Sequence, residues 1–224
     1  MAQLSELATE GLQVVQLLCG QEIAGRQDAA QSANFIYLVA DTTTGKAAVF
    51  DACWEVDDVF DVADQLGVEI TTAIYTHHHY DHAGGSMGRG RSLEGAKEMA
   101  EQGVEVLVAT DDLAAVIKQC DVPSAKPLAD GEVVTLGGSV GIRCIVTPGH
   151  TPGSACFAVG GDGSSLDDVE ALITGDTLFV GAFGRVDLPT SDPDAMFESL
   201  SYLKGLNPQA VRETHNVFCD AILY

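Results

Sequence analysis

The sequence predicts an α/β domain built in layers, with sheets inside and helices outside. Three observations predict it. Short apolar runs alternate with turn residues, and segments of helical periodicity follow strands in each half of the chain. In addition, 46% of the 224 residues are hydrophobic, enough for a sizeable core.

LQVVQLL (12–18), NFIYLVA (34–40) and AAVFD (47–51) read as successive strands, the last two joined by the turn DTTTGK. WEVDDVFDVADQLG (54–67) places apolar residues at helical spacing and stops at Gly67. ITTAIYT (70–76) is a strand that delivers the chain into HHHYDH. Residues 86–103 read as a Gly-rich loop and a short helix in SLEGAKEMAEQG, followed by a strand at 104–110 and a helix at 111–120. The second half repeats the style, with strands around 132–136, 140–147, 155–159 and 171–175, a helix at 193–206 and a last strand near 210–214. No repeat, low-complexity block or long linker interrupts this order, so residues 1–224 are expected to form one domain.

Composition narrows the function. No run of about 18 apolar residues could span a bilayer. The start, MAQLSELATEGLQVVQLLCG, has neither the basic residues nor the long apolar run of a signal peptide, which predicts a cytoplasmic protein without a membrane partner. The net charge is −22, from 11 basic and 33 acidic residues, and it argues against a nucleic-acid partner, because phosphate binding needs a basic footprint. The six cysteines stand singly, with no Cys-x-x-Cys pair, and read as free thiols.

The chemistry concentrates in IYTHHHYDHAGG (74–85), which holds four of the six histidines. If the segment stays extended, residues 77, 79 and 81 project to one side, as metal ligation requires, and the following HAGG frees His82 to turn toward a second metal. Partners for such a cluster lie later in the chain. His150 follows a strand in VTPGHTPGS, Asp176 follows another in ALITGDTLF, and His215 ends the last predicted strand in VRETHN. Every candidate sits where a strand meets a loop.

The pattern His77-x-His79-x-Asp81-His82, then His150, Asp176 and His215, resembles the metal signature of the metallo-β-lactamase superfamily. Within it, THHHYDHAGG, TPGHTPGS and TGDTLFVG are most similar to hydroxyacylglutathione hydrolase, glyoxalase II. The similarity runs from about Asn34 to Asp187 and more weakly to His215. The resemblance implies a four-layer αβ/βα sandwich with the site where the two sheets meet. It also implies two divalent metals, with zinc favoured and iron or manganese compatible with the same donors. His77, His79 and His150 would hold the first metal, Asp81, His82 and His215 the second, and Asp176 would bridge them, making Asp81 and Asp176 the carboxylates closest to catalysis. His78 would take a supporting or solvent role, and Tyr80 a packing one.

The implied reaction is cleavage of a small-molecule thioester such as an S-acylglutathione by a water activated between the metals. Three departures bear on this. Thr214 stands before His215 where the family usually has Gly. Val217 follows where an aromatic is common, and with nine residues after His215 no helical C-terminal glutathione-binding domain is expected. Arg185, in GAFGRVDLPTSDP, is the cation best placed for a substrate carboxylate, with a pair to Asp187 as its bland alternative. The same loop resembles a Gly-Arg-x-Asp segment of persulfide dioxygenases. A mononuclear iron enzyme using His77, His150 and Asp176 is therefore one alternative, and a metal-binding protein of impaired activity another. A superfamily nuclease is disfavoured by the charge, and an oxygen-reducing diiron protein by His79, where that branch tends to carry Glu.

Overall fold

Two sheets face each other across a shared core, and each is covered on its outer side by helices. The computed structural model describes residues 2–19, 34–88, 90–163, 165–167, 169–206 and 217–218. In chain order the first half contributes β1 (Ala2–Ala8), β2 (Leu12–Leu18), β3 (Phe35–Asp41), β4 (Lys46–Phe50), α1 (Val56–Leu66), β5 (Glu69–Tyr75), α2 (Tyr80–Ala83), β6 (Gly85–Gly88), β7 (Arg91–Leu93), α3 (Ala96–Glu101), β8 (Glu105–Ala109), α4 (Thr110–Cys120) and β9 (Lys126–Leu128). The second half adds β10 (Val133–Thr135), β11 (Gly141–Val146), β12 (Ala155–Val159), β13 (Ala171–Ile173), a 3₁₀ turn at Gly175–Thr177, α5 (Pro193–Gly205) and β14 (Val217–Phe218).

The first sheet has the order β1-β2-β3-β4-β5-β8-β9, and the second β10-β11-β12-β13-β14. Strands β4, β5, β8 and β9 run parallel. Past their exposed first residues, β4, β5 and β8 are mostly apolar, because both faces are buried. Phe50, Ile74 and Leu107 point inward against Phe157, Ile142 and Ile173 of the second sheet. The rings of Phe50 and Phe157 lie 5.2 Å apart. Val49, Ala73, Tyr75 and Val108 point outward, under Val56 and Val59 of α1, Met99 of α3 and Val116 of α4. On the far side, Cys156, Ala158 and Leu172 pack beneath Leu203 of α5. This is the expected four-layer αβ/βα order.

Most predicted strands and helices appear within a residue or two of their expected ends, and Gly67 closes α1 with φ 70°, a left-handed stop. Four features differ, the first being β9, where no strand was expected. β1 forms a hairpin with β2, although nothing in AQLSELA reads as an apolar strand. The Gly-rich loop expected before the helix at 92–103, together with the first residues of that helix, is a second hairpin, β6–β7. The segment expected to stay extended through Asp81 instead makes one helical turn, α2, from Tyr80. The strand expected near 210–214 lies outside the described residues, while β14 pairs parallel to β13 just beyond it.

The parallel strands position the site. In register, Phe50 pairs with Ile74 and Tyr75 with Val108. The residues leaving the carboxyl ends of β4, β5 and β8 therefore emerge side by side, where α/β sheets place ligand sites. The ends of β11 and β13 arrive from the second sheet, and Ala155 N–H donates to the Thr76 carbonyl across the seam at 3.0 Å.

Candidate metal centre

β5 ends at Tyr75, and the chain then bends through Thr76, His77 and His78. His79 is still extended, with φ −62° and ψ 150°, so His77 and His79 do project to one side. Beyond it the helical turn sets the direction. His82, three residues on, comes back over His79, and its N–H donates to the His79 carbonyl at 3.1 Å.

His77 and His150 are buried, His79 is half-buried, and their rings stand 4.6 to 4.8 Å apart. His79 Nδ1 lies 3.0 Å from His77 Nε2 and 2.9 Å from His150 Nε2. The surrounding bonds assign the protons. The Thr76 hydroxyl donates to Asp51 Oδ2 at 2.7 Å, so it accepts from His77 Nδ1, 3.1 Å away. His150 Nδ1 donates to the Arg185 carbonyl at 2.8 Å. His77 Nε2 and His150 Nε2 are therefore bare lone pairs, and His79 Nδ1 has at most one proton to give to the two. Three lone pairs converging on one buried point suit a cation and little else.

A second group adjoins the first. His82 Nδ1 donates to Asp51 Oδ2 at 2.9 Å, which leaves its Nε2 facing Asp176 Oδ1 at 3.3 Å. The other oxygen, Asp176 Oδ2, lies 3.1 Å from His150 Nε2. One carboxylate thus presents an oxygen to each side. Within 4.8 Å of one another, the described ligand atoms fall into two groups, His77–His79–His150 and His77–His82–Asp176. His77 is shared between them. The carboxylate expected from Asp81 is in neither, and His215 lies outside the described residues. Asp81 contributes its carbonyl to the framework, accepting from Asn34 Nδ2 and Cys53 Sγ, each at 2.7 Å.

The electrostatics fit metal binding. Burial, reinforced by His82, holds His77 well below the ordinary imidazole pKa. Burial and the neighbouring His150 push His79 down to about 4. Both rings are neutral, as ligands must be. Burial opposes the charged form of His82, but Asp176 and Asp51 outweigh it and hold the pKa well above its usual value. Burial would likewise raise Asp176, yet His82 and His150 hold it well below the usual carboxylate range. A proton on His82 Nε2 occupies the position that a cation between it and Asp176 would take.

Two acids that the motif did not single out brace the site. Asp51, fully buried at the end of β4 in the left-handed conformation (φ 51°), accepts from Thr76 N–H at 2.7 Å as well as from Thr76 and His82. Asp112, at the start of α4, accepts at 2.8 Å from His78 N–H, His78 Nδ1, Thr151 Oγ1 and Gly153 N–H. It ties the His77–His82 loop to the His150 turn and gives His78 its supporting role. Tyr80, expected to pack, is 39% exposed instead.

The Arg185 side chain forms a two-pronged pair with Asp187, at 2.9 and 3.0 Å, while its carbonyl fixes His150. A Cβ on Gly184 would lie 1.8 Å from the Asp176 carbonyl oxygen, so only glycine lets this loop cross the site. The five described cysteines are buried and form no disulfide among the described residues, Cys219 lies outside those residues, and no described helix is long and apolar enough to cross a membrane.

Comparison with known proteins agrees with this geometry. Over 179 residues the chain is 29% identical to a probable polyketide biosynthesis zinc-dependent hydrolase of Bacillus velezensis, covering 80% of this chain and 70% of the relative. Over 186 residues it is 33% identical to a hydroxyacylglutathione hydrolase of Maricaulis maris, covering 83% of this chain but only 62% of that relative's length. A metallo-beta-lactamase structure from Staphylococcus aureus superposes with a TM-score of 0.62 at 26% identity, over 78% of this chain and 49% of that one. The metallo-beta-lactamase superfamily profile matches residues 31–211, most of the chain, which therefore belongs to the metallo-β-lactamase superfamily.

Proposed function

We propose that the protein is a dinuclear metal-dependent hydrolase that cleaves a small-molecule thioester, such as an S-acylglutathione. The observation that carries the reading is the Asp176 carboxylate, with one oxygen 3.1 Å from His150 Nε2 and the other 3.3 Å from His82 Nε2. His77, His79 and His150 would hold one ion. His82 would hold the other with Asp81 and His215, and Asp176 would serve both. Divalent ions bound there supply an acidified water and a polarised carbonyl. The donors, imidazole and carboxylate, suit zinc, and also iron or manganese.

The chain's own residues supply order. The Arg185 carbonyl and the Asp51 carboxylate hold Nδ1–H of His150 and His82, which turns Nε2 of each toward Asp176, where a bound cation would replace the proton on His82 Nε2. Asp112 holds His78 aside, and Tyr80 stands at the open edge. The two Gly-x-Ser-x-Gly stretches of the chain, 84–88 and 137–141, lie at β6 and in the turn between β10 and β11, not on the strand-to-helix elbow that a serine nucleophile needs. The −22 charge supports a small-molecule substrate rather than nucleic acid, and a cytoplasmic setting without a membrane partner completes the reading.

The test is metal content of protein purified without added metal, with thioester hydrolysis and oxygen uptake followed separately. About two equivalents of zinc, iron or manganese, with hydrolysis and no oxygen uptake, are expected. One iron with thiol-dependent oxygen uptake would assign His77, His150 and Asp176 to a persulfide dioxygenase. Full metal with neither activity would leave a binding protein.

A further inference from the structure

A cavity of about 490 Å³ opens beside the metal loop, lined by His78, Tyr80, Ser86, Gly88, Ala115, Lys118 and Gln119. That volume falls within the range of roughly 300–1,000 Å³ typical of small-ligand sites. One wall is the face of α4 that carries Ala115, Lys118 and Gln119, spaced to share a side of the helix. The opposite wall is β6. Gln119 Nε2 fastens the two by donating to the carbonyls of His78 (2.8 Å) and Gly84 (2.7 Å). The floor is His78, whose ring is 4.9 Å from that of His79. The cavity is thus one side chain away from a candidate metal ligand.

Its charge runs against that of the molecule. Two other surface cavities are lined by acids and no cation, Asp58 and Asp61 in one, Asp64 and Glu69 in the other, as expected of a chain with 33 acidic and 11 basic residues. This one contains Lys118 and no carboxylate. Lys97, Lys126 and Arg185 are engaged with Asp121, Glu105 and Asp187, whereas Lys118 makes no ion pair among the described residues. Hydroxyls of Tyr80 and Ser86 are further donors, and Ala115 and the Tyr80 ring are apolar surface for a linear arm.

We propose that this cavity receives the anionic arm of the substrate's thiol half, with Lys118 as the contact for its terminal carboxylate or phosphate. The inference rests on the thioester reading. It moves the anion contact from Arg185, whose guanidinium is paired with Asp187, to the cavity beside His78.

The test uses thioethers that cannot be cleaved: S-methylglutathione, which has carboxylates, S-methyl phosphopantetheine, which has a phosphate, and neutral S-methyl-N-acetylcysteamine. Calorimetry on metal-loaded wild type, Lys118→Ala, Lys118→Arg and Lys204→Ala gives each Kd. Lys118→Ala is expected to weaken one charged analogue about tenfold, with the neutral one unchanged, Lys118→Arg restoring most of the loss and Lys204→Ala causing none. Whichever analogue responds tells carboxylate from phosphate. The subsite is refuted if neither charged analogue binds, if Lys118→Ala leaves both unchanged, or if the neutral analogue or Lys204→Ala shows the same loss. Wild type that binds through Lys118 but cleaves no thioester refutes the hydrolase reading alone. Thioester cleavage with a KM indifferent to Lys118→Ala refutes the subsite alone.

Discussion

Replacing Asp51 by Asn should switch the tautomer of a buried histidine, His82. Asp51 accepts three hydrogen bonds, from Thr76 N–H, Thr76 Oγ1 and His82 Nδ1, at 2.7 to 2.9 Å. Asn can keep the first through its oxygen, but its NH₂ then faces two groups that were donors. Thr76 Oγ1 can rotate. His82 can adapt only by moving its proton from Nδ1 to Nε2, the atom aimed at Asp176. A protonated Nε2 is no ligand. Loss of an orienting partner of this kind lowers metal affinity about 10- to 100-fold. Two lost bonds to a buried carboxylate, at about 1.5–3 kcal/mol each, should lower stability by about 3 kcal/mol after partial adaptation by Thr76. Chelator competition would give the metal affinity, urea unfolding the stability, and nitrogen NMR of the ring the tautomer. Metal affinity within about twofold of wild type, with the proton still on Nδ1, would refute the assignment of Asp51 as the group that holds His82.

His79→Ala should abolish turnover and most metal binding, while His78→Ala should keep its metal. Equal loss in both, by metal analysis, would overturn the division between the two rings. Asp112→Asn should destabilise the fold by about 3 kcal/mol near neutral pH, because it breaks a buried bonded carboxylate. Burial would raise the Asp112 pKa, but the His78 bond holds it below the usual 3.8. Its contribution is therefore complete above that value and lost as pH falls through the depressed one, so mutant and wild type should converge only in acid, as urea unfolding at several pH values would show. Gly184→Ala should displace the Arg185 carbonyl from His150, because the new Cβ falls 1.8 Å from the Asp176 oxygen. Metal affinity should drop at least about tenfold with the fold retained by circular dichroism.

Much of this was legible in the sequence because its signals are local. The strand and helix periods, the Gly67 stop and the THHHYDHAGG, TPGHTPGS and TGDTLFVG turns all declare themselves within a dozen residues. Asp51 and Asp112 do not. Each is one of 33 acids, and its role exists only because β4, β5 and β8 pair in parallel register, a contact between residues far apart in sequence. A better signal was available for Asp51, an acid directly after an apolar strand, the same placement that singled out Asp176. The helical turn at Tyr80–Ala83 was hidden because four residues are too few to show a period. Arg185 was chosen for its charge, whereas its main-chain carbonyl is the part that reaches His150.

The ligand atoms come from both sheets. His77, His79 and His82 follow β5 of the first, and His150 and Asp176 follow β11 and β13 of the second. A cation shared by these groups is a rivet through the seam of the sandwich. Metal at a thousand times its dissociation constant would add about 4 kcal/mol to the folded state. Stripping it would leave lone pairs facing one another at about 3 Å along that seam. Amide exchange in metal-free protein should therefore quicken first where the sheets meet at the site, around Thr76 and Ala155.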